Sequence, residues 1–282
     1  MIPQEFEYSA PTSLEEALHL ISDGSAKVLA GGLSLIPLMK LRLAAPGHVV
    51  DLGRVPGLSY IREEGGKLHI GAMTTHYQIE SSALVHSRCP LLAETAAHIG
   101  DVQVRNAGTI GGSVAHADPA ADYPAALLAL DAQVRLVTAS GERTLPIQDF
   151  LVDTLTTALE PGELVAEVIV DVDVDGATGF CYQKMAHAAS GFAIVGAAVR
   201  VRRSNGRVSF SRVGITGLAP KAFRATGVES LLQTPDDVAS AAGAVADGIE
   251  ANSDLAASAE YRCQMARVYT ARALRQALAR IA

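Results

Sequence analysis

The sequence predicts an α+β protein built in two parts, and three observations carry that reading. Over roughly the first fifty residues, short apolar runs alternate with helical patterns, as in a small βαβ unit. Two hairpin patterns follow, at residues 59–74 and 133–146, on either side of a stretch rich in glycine and alanine. Beyond residue 177, three successive strand patterns precede helical ones, which predicts a three-stranded antiparallel sheet and a helical bundle. The pattern breaks at Asp175-Gly176-Ala177. That break sets the expected division into 1–176, itself composed of 1–53 and 54–176, and a smaller part, 177–282.

Each element has a local reason. Residues 5–9 read as a strand. Thr12 or Ser13 can cap the next helix, with Glu15 and Glu16 in its first turn, where carboxylates meet the positive end of the helix dipole. Leu14, Ala17, Leu18 and Ile21 share one helical face, and Gly24 ends the helix. A strand at 28–30 leads through Gly31-Gly32-Leu33-Ser34 into a helix beginning near Pro37, and Pro46-Gly47 turns into a strand at 48–52. Strands at 59–63 and 68–72 flank the turn Glu64-Gly65-Gly66-Lys67. Residues 75–80 and 89–98 are helical, the second with Leu91, Leu92, Thr95 and Ala96 on one side. The apolar run 125–130 reads as helix, 133–138 and 142–146 as the second hairpin, and 164–171 as an alternating strand. The later strands are 179–185, 193–203 and 207–214, the last two joined at Ser204-Asn205-Gly206, a strong hairpin signal. Helices at 227–232, 235–249 and 260–280 close the chain.

Composition excludes several functions. A formal charge of −7 with no compensating basic block argues against nucleic acid as a partner. No apolar run approaches the ~18 residues of a membrane span. Met1-Ile2-Pro3-Gln4-Glu5-Phe6 has neither a basic nor an apolar leader pattern, so a cytoplasmic protein is expected. Cys89, Cys181 and Cys263 are isolated and fit free thiols in a reducing compartment. They are also too few to ligate an iron–sulfur cluster.

Two glycine-rich stretches carry the chemistry. In Thr109-Ile110-Gly111-Gly112-Ser113 the backbone can come close to a ligand, and successive amides turned one way make a nest for an anion such as a diphosphate. Asp122 offers a carboxylate downstream, suited to a hydroxyl-bearing ligand. The same residues also read as a glycine turn before a capped helix, with Asp118 ahead of Pro119 as Asx turn and N-cap. The second stretch, Ala30-Gly31-Gly32-Leu33-Ser34, lies between a strand and a helix, an arrangement that presents amides to phosphate oxygens. Two such loops suit a ligand with an extended diphosphate gripped from both sides. Catalytic patterns are otherwise sparse. Neither loop is a nucleophile elbow, there is no Gly-x-Gly-x-x-Gly fingerprint or Gly-Lys-Ser/Thr phosphate loop, and the eight histidines have no zinc spacing. His116 and Asp118 could in principle ligate a metal, but an isolated His-x-Asp is more often structural.

The paired loops, with Tyr182-Gln183-Lys184-Met185 and Ser258-Ala259-Glu260-Tyr261-Arg262, resemble the flavoprotein (medium) subunit of the molybdenum hydroxylases, the carbon monoxide dehydrogenase and xanthine dehydrogenase group. The matching stretches span nearly the whole chain in the family's order. The resemblance implies a two-part FAD-binding domain of the PCMH (vanillyl-alcohol-oxidase-like) type, a carbon monoxide dehydrogenase flavoprotein-type C-terminal domain, and non-covalently bound FAD. It places Ala30, Gly31, Gly32 and Ser34 on the FAD diphosphate, with Leu33 replacing a residue that is often polar. Thr109, Ile110, Gly111, Gly112 and Ser113 match the second phosphate clamp, although helix capping is the alternative role for Ser34 and Ser113. Asp122 matches an acid binding the nucleotide portion. Leu164 matches a residue packing on the adenine end, or else is strand core. Lys184 matches a lysine near the isoalloxazine ring, where a cation raises the flavin's potential, or else is a solvated strand lysine. His187 and Phe192 depart from an arginine and a tyrosine found in relatives.

The implied function is electron transfer: from a small 2Fe-2S subunit, through FAD, to an external acceptor such as quinone or NAD. A large molybdopterin-containing subunit would oxidise carbon monoxide, an N-heterocycle or an aldehyde. The competing reading is a self-contained FAD-dependent oxidase or reductase of the same fold, which would need its own substrate pocket and base.

Overall fold

The computed structural model describes residues 2–172 and 178–281, so the expected boundary at Asp175-Gly176-Ala177 lies outside the described residues. The chain opens with β1 (Glu7–Ser9), α1 (Leu14–Leu20), β2 (Lys27–Leu29), α2 (Leu35–Lys40) and β3 (His48–Asp51). The three strands form a parallel sheet in the order β1-β3-β2. Ser13 caps α1 by accepting from the Glu16 amide, while the Glu16 carboxylate accepts from the Thr12 amide at 2.8 Å. The helix ends at Leu20, and Gly24, at φ +73°, shapes the turn beyond it.

The next unit is a five-stranded antiparallel sheet in the order β4-β5-β10-β6-β7, built from β4 (Ile61–Glu64), β5 (Lys67–Gly71), β6 (Gln133–Thr138), β7 (Gly141–Pro146) and β10 (Leu164–Asp171). Between β5 and β6 run helices α3 (His76–Ser81), α4 (Ala83–Arg88), α5 (Pro90–Ala97), α6 (Val102–Ala107), α7 (Ile110–His116) and α8 (Asp122–Ala129). The sequence reading lacked α4 and α6, each a short helix with little periodicity to mark it. A four-residue helix, α9 (Ile147–Phe150), and the pair β8 (Leu151–Asp153) and β9 (Thr156–Thr157) precede β10.

Strand β10 departs from its expected one-sided alternation. All but Asp171 are buried, because the strand is central and covered on both faces. Val165, Val168 and Val170 pack with Leu68, Ile70, Val134 and Leu136. Leu164 and Ala166 instead pack with Val137 and with Ala17, Leu18 and Val50 of the first unit. Glu167 is the polar exception, 1% exposed, accepting from the Tyr60 hydroxyl and from Arg135 at 3.1 Å, with His69 Nδ1 at 2.6 Å. Burial pushes its carboxyl up, but these partners outweigh that and hold it below the usual range. Tyr60 directly precedes β4 and its carbonyl accepts from the Gly71 amide, so this buried carboxylate on the central strand ties together the two hairpins that flank it.

The remaining strands are β11 (Thr178–Ala186), β12 (Ala193–Ser204), β13 (Arg207–Thr216) and β14 (Phe223–Arg224). They make an antiparallel sheet in sequence order, so a two-residue fourth strand joins the three expected. Helices α10 (Thr226–Leu231), α11 (Val238–Gly243) and α12 (Ala259–Ala279) follow. The expected continuous helix over 235–249 is divided instead: a 3-10 turn, Pro235–Asp237, precedes α11, and another, Ala244–Ala246, follows it. Helix α12 lies on one face of the sheet, so close that a Cβ on Gly179 would fall 1.9 Å from the Ala277 carbonyl oxygen. Helix α8 lies on the other, where a Cβ on Gly214 would fall 2.0 Å from the Ala125 carbonyl oxygen. All eight residues of α8 are buried, which explains a helix apolar on every side.

Candidate functional site

The first glycine segment leaves β2 and enters α2. Gly32 sits at φ +76°, a conformation that side chains other than glycine's rarely adopt. Gly31 is required for a different reason: a Cβ there would lie 2.0 Å from the Ala107 carbonyl oxygen and 2.8 Å from Gly108 Cα. The segment is thus pressed onto the backbone leading into the second one. Among the described residues, the amides of Gly31, Gly32, Leu33 and Ser34 have no protein acceptor. Ser34 precedes α2 but makes no side-chain capping bond, so its hydroxyl is not used as a cap.

The second segment is not the loop expected. Thr109 is an N-cap, its hydroxyl accepting from the Gly112 amide at 3.1 Å, and Gly111 and Gly112 occupy the first turn of α7. The Ile110 amide donates to the Thr74 carbonyl and the Gly111 amide to the Ala72 carbonyl. The Ser113 amide donates to Thr109. These amides are therefore engaged within the protein, and the nest expected over residues 110–113 is absent. Gly111 is there for close packing: a Cβ would fall 2.4 Å from Ala72 Cβ. Gly112 faces the first segment, since its Cβ would stand 3.5 Å from Ala30 Cβ. Ser113 lies inside the helix and is not a cap. Asp118 makes the expected Asx turn, accepting from the Ala120 amide at 2.8 Å, but Ala121 and not Asp118 is the N-cap of α8.

These differences separate two roles. Thr109→Ala should cost about 1 kcal/mol of stability through the lost cap. Ser34→Ala should leave stability within about 0.5 kcal/mol while weakening an anionic ligand roughly tenfold. Chemical denaturation and ligand titration of the two variants check both.

Asp122 and Lys184 are brought together by the fold. The Lys184 Nζ lies 2.9 Å from the Asp122 carboxylate and donates to the His98 carbonyl oxygen at 2.9 Å. The Lys184 side chain is 2% exposed and that of Asp122 5%, so Lys184 is not a solvated strand lysine. The Tyr182 hydroxyl donates to Oδ1 of the same carboxylate, both oxygens of which lie 2.9 Å from Lys184 Nζ. Burial raises the Asp122 carboxyl above its ordinary range, against the pull of Lys184, Tyr182 and His98. Sequence reasoning missed Tyr182 and His98. The signal for Tyr182 was available, because residues 182 and 184 alternate onto one face of a strand.

Leu164 is core, 5% exposed at the start of β10. Phe192 is exposed at the end of a tight turn in which the Gly191 amide donates to the His187 carbonyl and the His187 amide to the Phe192 carbonyl. A Cβ on Gly191 would approach Gly100 Cα at 3.5 Å, so this turn leans on the residues just after His98. Among the described residues, no group of three or more His, Cys, Asp or Glu side chains is placed to hold a metal, and no helix is long and apolar enough to cross a membrane.

The donor set, unpartnered backbone amides with a free hydroxyl and a positive-φ glycine, fits phosphate oxygens of a dinucleotide. Residues 4–171 match the family described as the FAD binding domain in molybdopterin dehydrogenase, and residues 180–277 the CO dehydrogenase flavoprotein C-terminal domain. The carbon monoxide dehydrogenase medium chain of Hydrogenophaga pseudoflava is 43% identical over the full length of both chains. The 6-hydroxypseudooxynicotine dehydrogenase complex subunit alpha of Paenarthrobacter nicotinovorans is 39% identical, covering 99% of this chain and 97% of that one. The solved structure of the Hydrogenophaga pseudoflava carbon monoxide dehydrogenase lacking the Mo-pyranopterin moiety superposes with a TM-score of 0.96 over all of both chains. The chain belongs to the family of FAD-binding medium subunits of the molybdenum hydroxylases, and is an oxidoreductase subunit of the carbon monoxide dehydrogenase medium-chain type whose cofactor is FAD.

Proposed function

We propose that this chain carries electrons from a small 2Fe-2S subunit, through FAD, to an external acceptor such as quinone or NAD, in a complex with a large molybdopterin-containing subunit. The observation that carries this reading is the juxtaposition of the two glycine segments, one with four unpartnered amides and the other pressed against it through Gly31 and Ala107. FAD supplies reversible uptake and release of electrons. The protein's own groups bind and orient it. The amides of Gly31, Gly32, Leu33 and Ser34, with the Ser34 and Ser113 hydroxyls, take the diphosphate, while Ala30, Thr109, Ile110, Gly111 and Gly112 form the wall behind it. Leu164 supports the adenine end from within the core. Asp122, expected on the nucleotide portion, is instead held by Lys184 and Tyr182, and this buried pair stands beside the flavin with Lys184 as its cation. Phe192 marks the exposed edge at which a partner docks. Binding is non-covalent, so acid precipitation of the chain should leave intact FAD in the supernatant. The interval from 172 to 179, which neither family match covers, supports a division between the two parts at 176–177.

Substrate choice belongs elsewhere in the complex. Relatives at 43% and 39% identity carry the names of enzymes for carbon monoxide and for 6-hydroxypseudooxynicotine, two chemically unrelated molecules. The isolated, FAD-loaded chain, mixed anaerobically with carbon monoxide, aldehydes and N-heterocycles, should show no change in flavin absorbance. Artificial dyes should still exchange electrons with it. Rapid bleaching by any one substrate would establish a self-contained flavoenzyme instead.

A further inference from the structure

One buried hydroxyl beside the Asp122–Lys184 pair has no part in the function above. Tyr182 is fully buried, and its ring meets that of His98 edge-on, with centroids 5.7 Å apart. Its hydroxyl donates to Asp122 Oδ1. Strand β12 is shaped around that oxygen: a Cβ on Gly196 would lie 2.4 Å from Tyr182 Oη and 2.8 Å from Thr216 Cγ2. Glycine at 196 therefore leaves room for the hydroxyl itself. Tyr182 and Lys184 approach the carboxylate from β11, Asp122 opens α8, and His98 follows α5 with its carbonyl on Lys184.

A carboxylate this deeply buried is costly unless its lone pairs are filled, and one ammonium fills only part of them. Burial and the neighbouring Asp122 push the Tyr182 hydroxyl's own ionisation well up, so it remains a donor. We infer that Tyr182 is a positioning residue: its hydroxyl holds Asp122 as an anchored carboxylate, so that Lys184 enters the flavin site as half of a neutral pair and not as an isolated cation. This rests on the reading of Lys184 as the cation beside the flavin. Without the hydroxyl, Asp122 takes a proton from solvent, and the pair passes from neutral to net positive. A net positive charge there favours the reduced flavin. The potentials should then fall in the order Asp122→Asn, Tyr182→Phe, wild type, Lys184→Met.

The test uses the full-length, FAD-loaded chain with two readouts, the infrared carbonyl stretch of a protonated carboxylic acid and the flavin midpoint potential. At mildly acidic pH, Tyr182→Phe should show an acid carbonyl band that wild type lacks and that disappears in Tyr182→Phe/Asp122→Asn. Its potential should lie between those of wild type and Asp122→Asn, the latter raised by about tenfold in the reduced-to-oxidised ratio, roughly 30 mV for a two-electron couple. Absence of the band, with a potential at or below that of wild type, would overturn the positioning role. A band that appears while neither Asp122→Asn nor Lys184→Met moves the potential would support the positioning of Asp122 and refute the placement of Lys184 at the flavin. Should Tyr182→Phe fail to fold, Gly196→Ala displaces the hydroxyl by contact and should produce the same band; its absence there would also overturn the role.

Discussion

Gly31→Val should yield a folded chain that has lost FAD. Its side chain would begin 2.0 Å from the Ala107 carbonyl oxygen and 2.7 Å from the Ala107 carbonyl carbon, both backbone atoms with no rotamer by which to yield. The first segment must therefore lift from the second, taking the amides of Gly31 to Ser34 away from the diphosphate. Losing two hydrogen bonds to a charged ligand, at about 1.5–3 kcal/mol each, weakens binding by at least a hundredfold. Gly112→Val should be milder. Gly112 is helical, its amide is already held by Thr109, and its Cβ would meet only the Thr109 hydroxyl at 2.9 Å and Ala30 Cβ at 3.5 Å. Flavin titration of the two apo-variants, with circular dichroism as a folding control, checks the ranking. Equal affinities would remove the close contact at Gly31 from the account.

Lys184→Met should be the most destabilising single change at the site. It leaves Asp122, 5% exposed, as a buried carboxylate without its cation. Breaking such a pair from one side costs about 3–5 kcal/mol. For a chain of this size that is on the order of a 10 °C loss in melting temperature. The pH dependence has a definite sign. The Asp122 carboxyl is already raised by burial in the folded state, and without Lys184 it rises further. A folded-state value above the unfolded one, near 3.8, means that the folded state binds the proton more tightly, so stability falls as pH rises through the folded value. The deficit of Lys184→Met against wild type should be full at neutral pH and shrink on acidification toward the unfolded carboxyl range. Lys184→Met/Asp122→Asn should recover much of it. Thermal melts across that range measure both, and a deficit independent of pH would mean that Asp122 is not the group left exposed.

What was legible in the sequence was what neighbours in the chain decide. The Ser13 cap, the hairpin at Asn205-Gly206 and the strand-glycine-helix order at Gly31 depend on residues a few positions apart, and each appears in the fold. The nature of the second glycine segment was not legible, because the same Gly-Gly serves a left-handed turn or a tight helix contact. Which applies is decided by Ala72, a residue far away in the chain but 2.4 Å from where a Gly111 Cβ would stand. Lys184 likewise reads as a flavin cation or a solvated residue, and neither reading contains Asp122, 62 positions away. Strand β10 read as half-buried because its second cover is supplied by the first fifty residues folding back onto it. Helices α4 and α6 held no periodic stripe, since each contributes at most one buried residue.

The most direct test of the account is to add a prereduced 2Fe-2S partner subunit anaerobically to the FAD-loaded chain and follow the flavin absorbance. The account predicts prompt bleaching of the flavin on mixing, followed by recovery of the oxidised spectrum when quinone or NAD is supplied. A flavin that stays oxidised beside a reduced, bound partner would contradict the electron-transfer role.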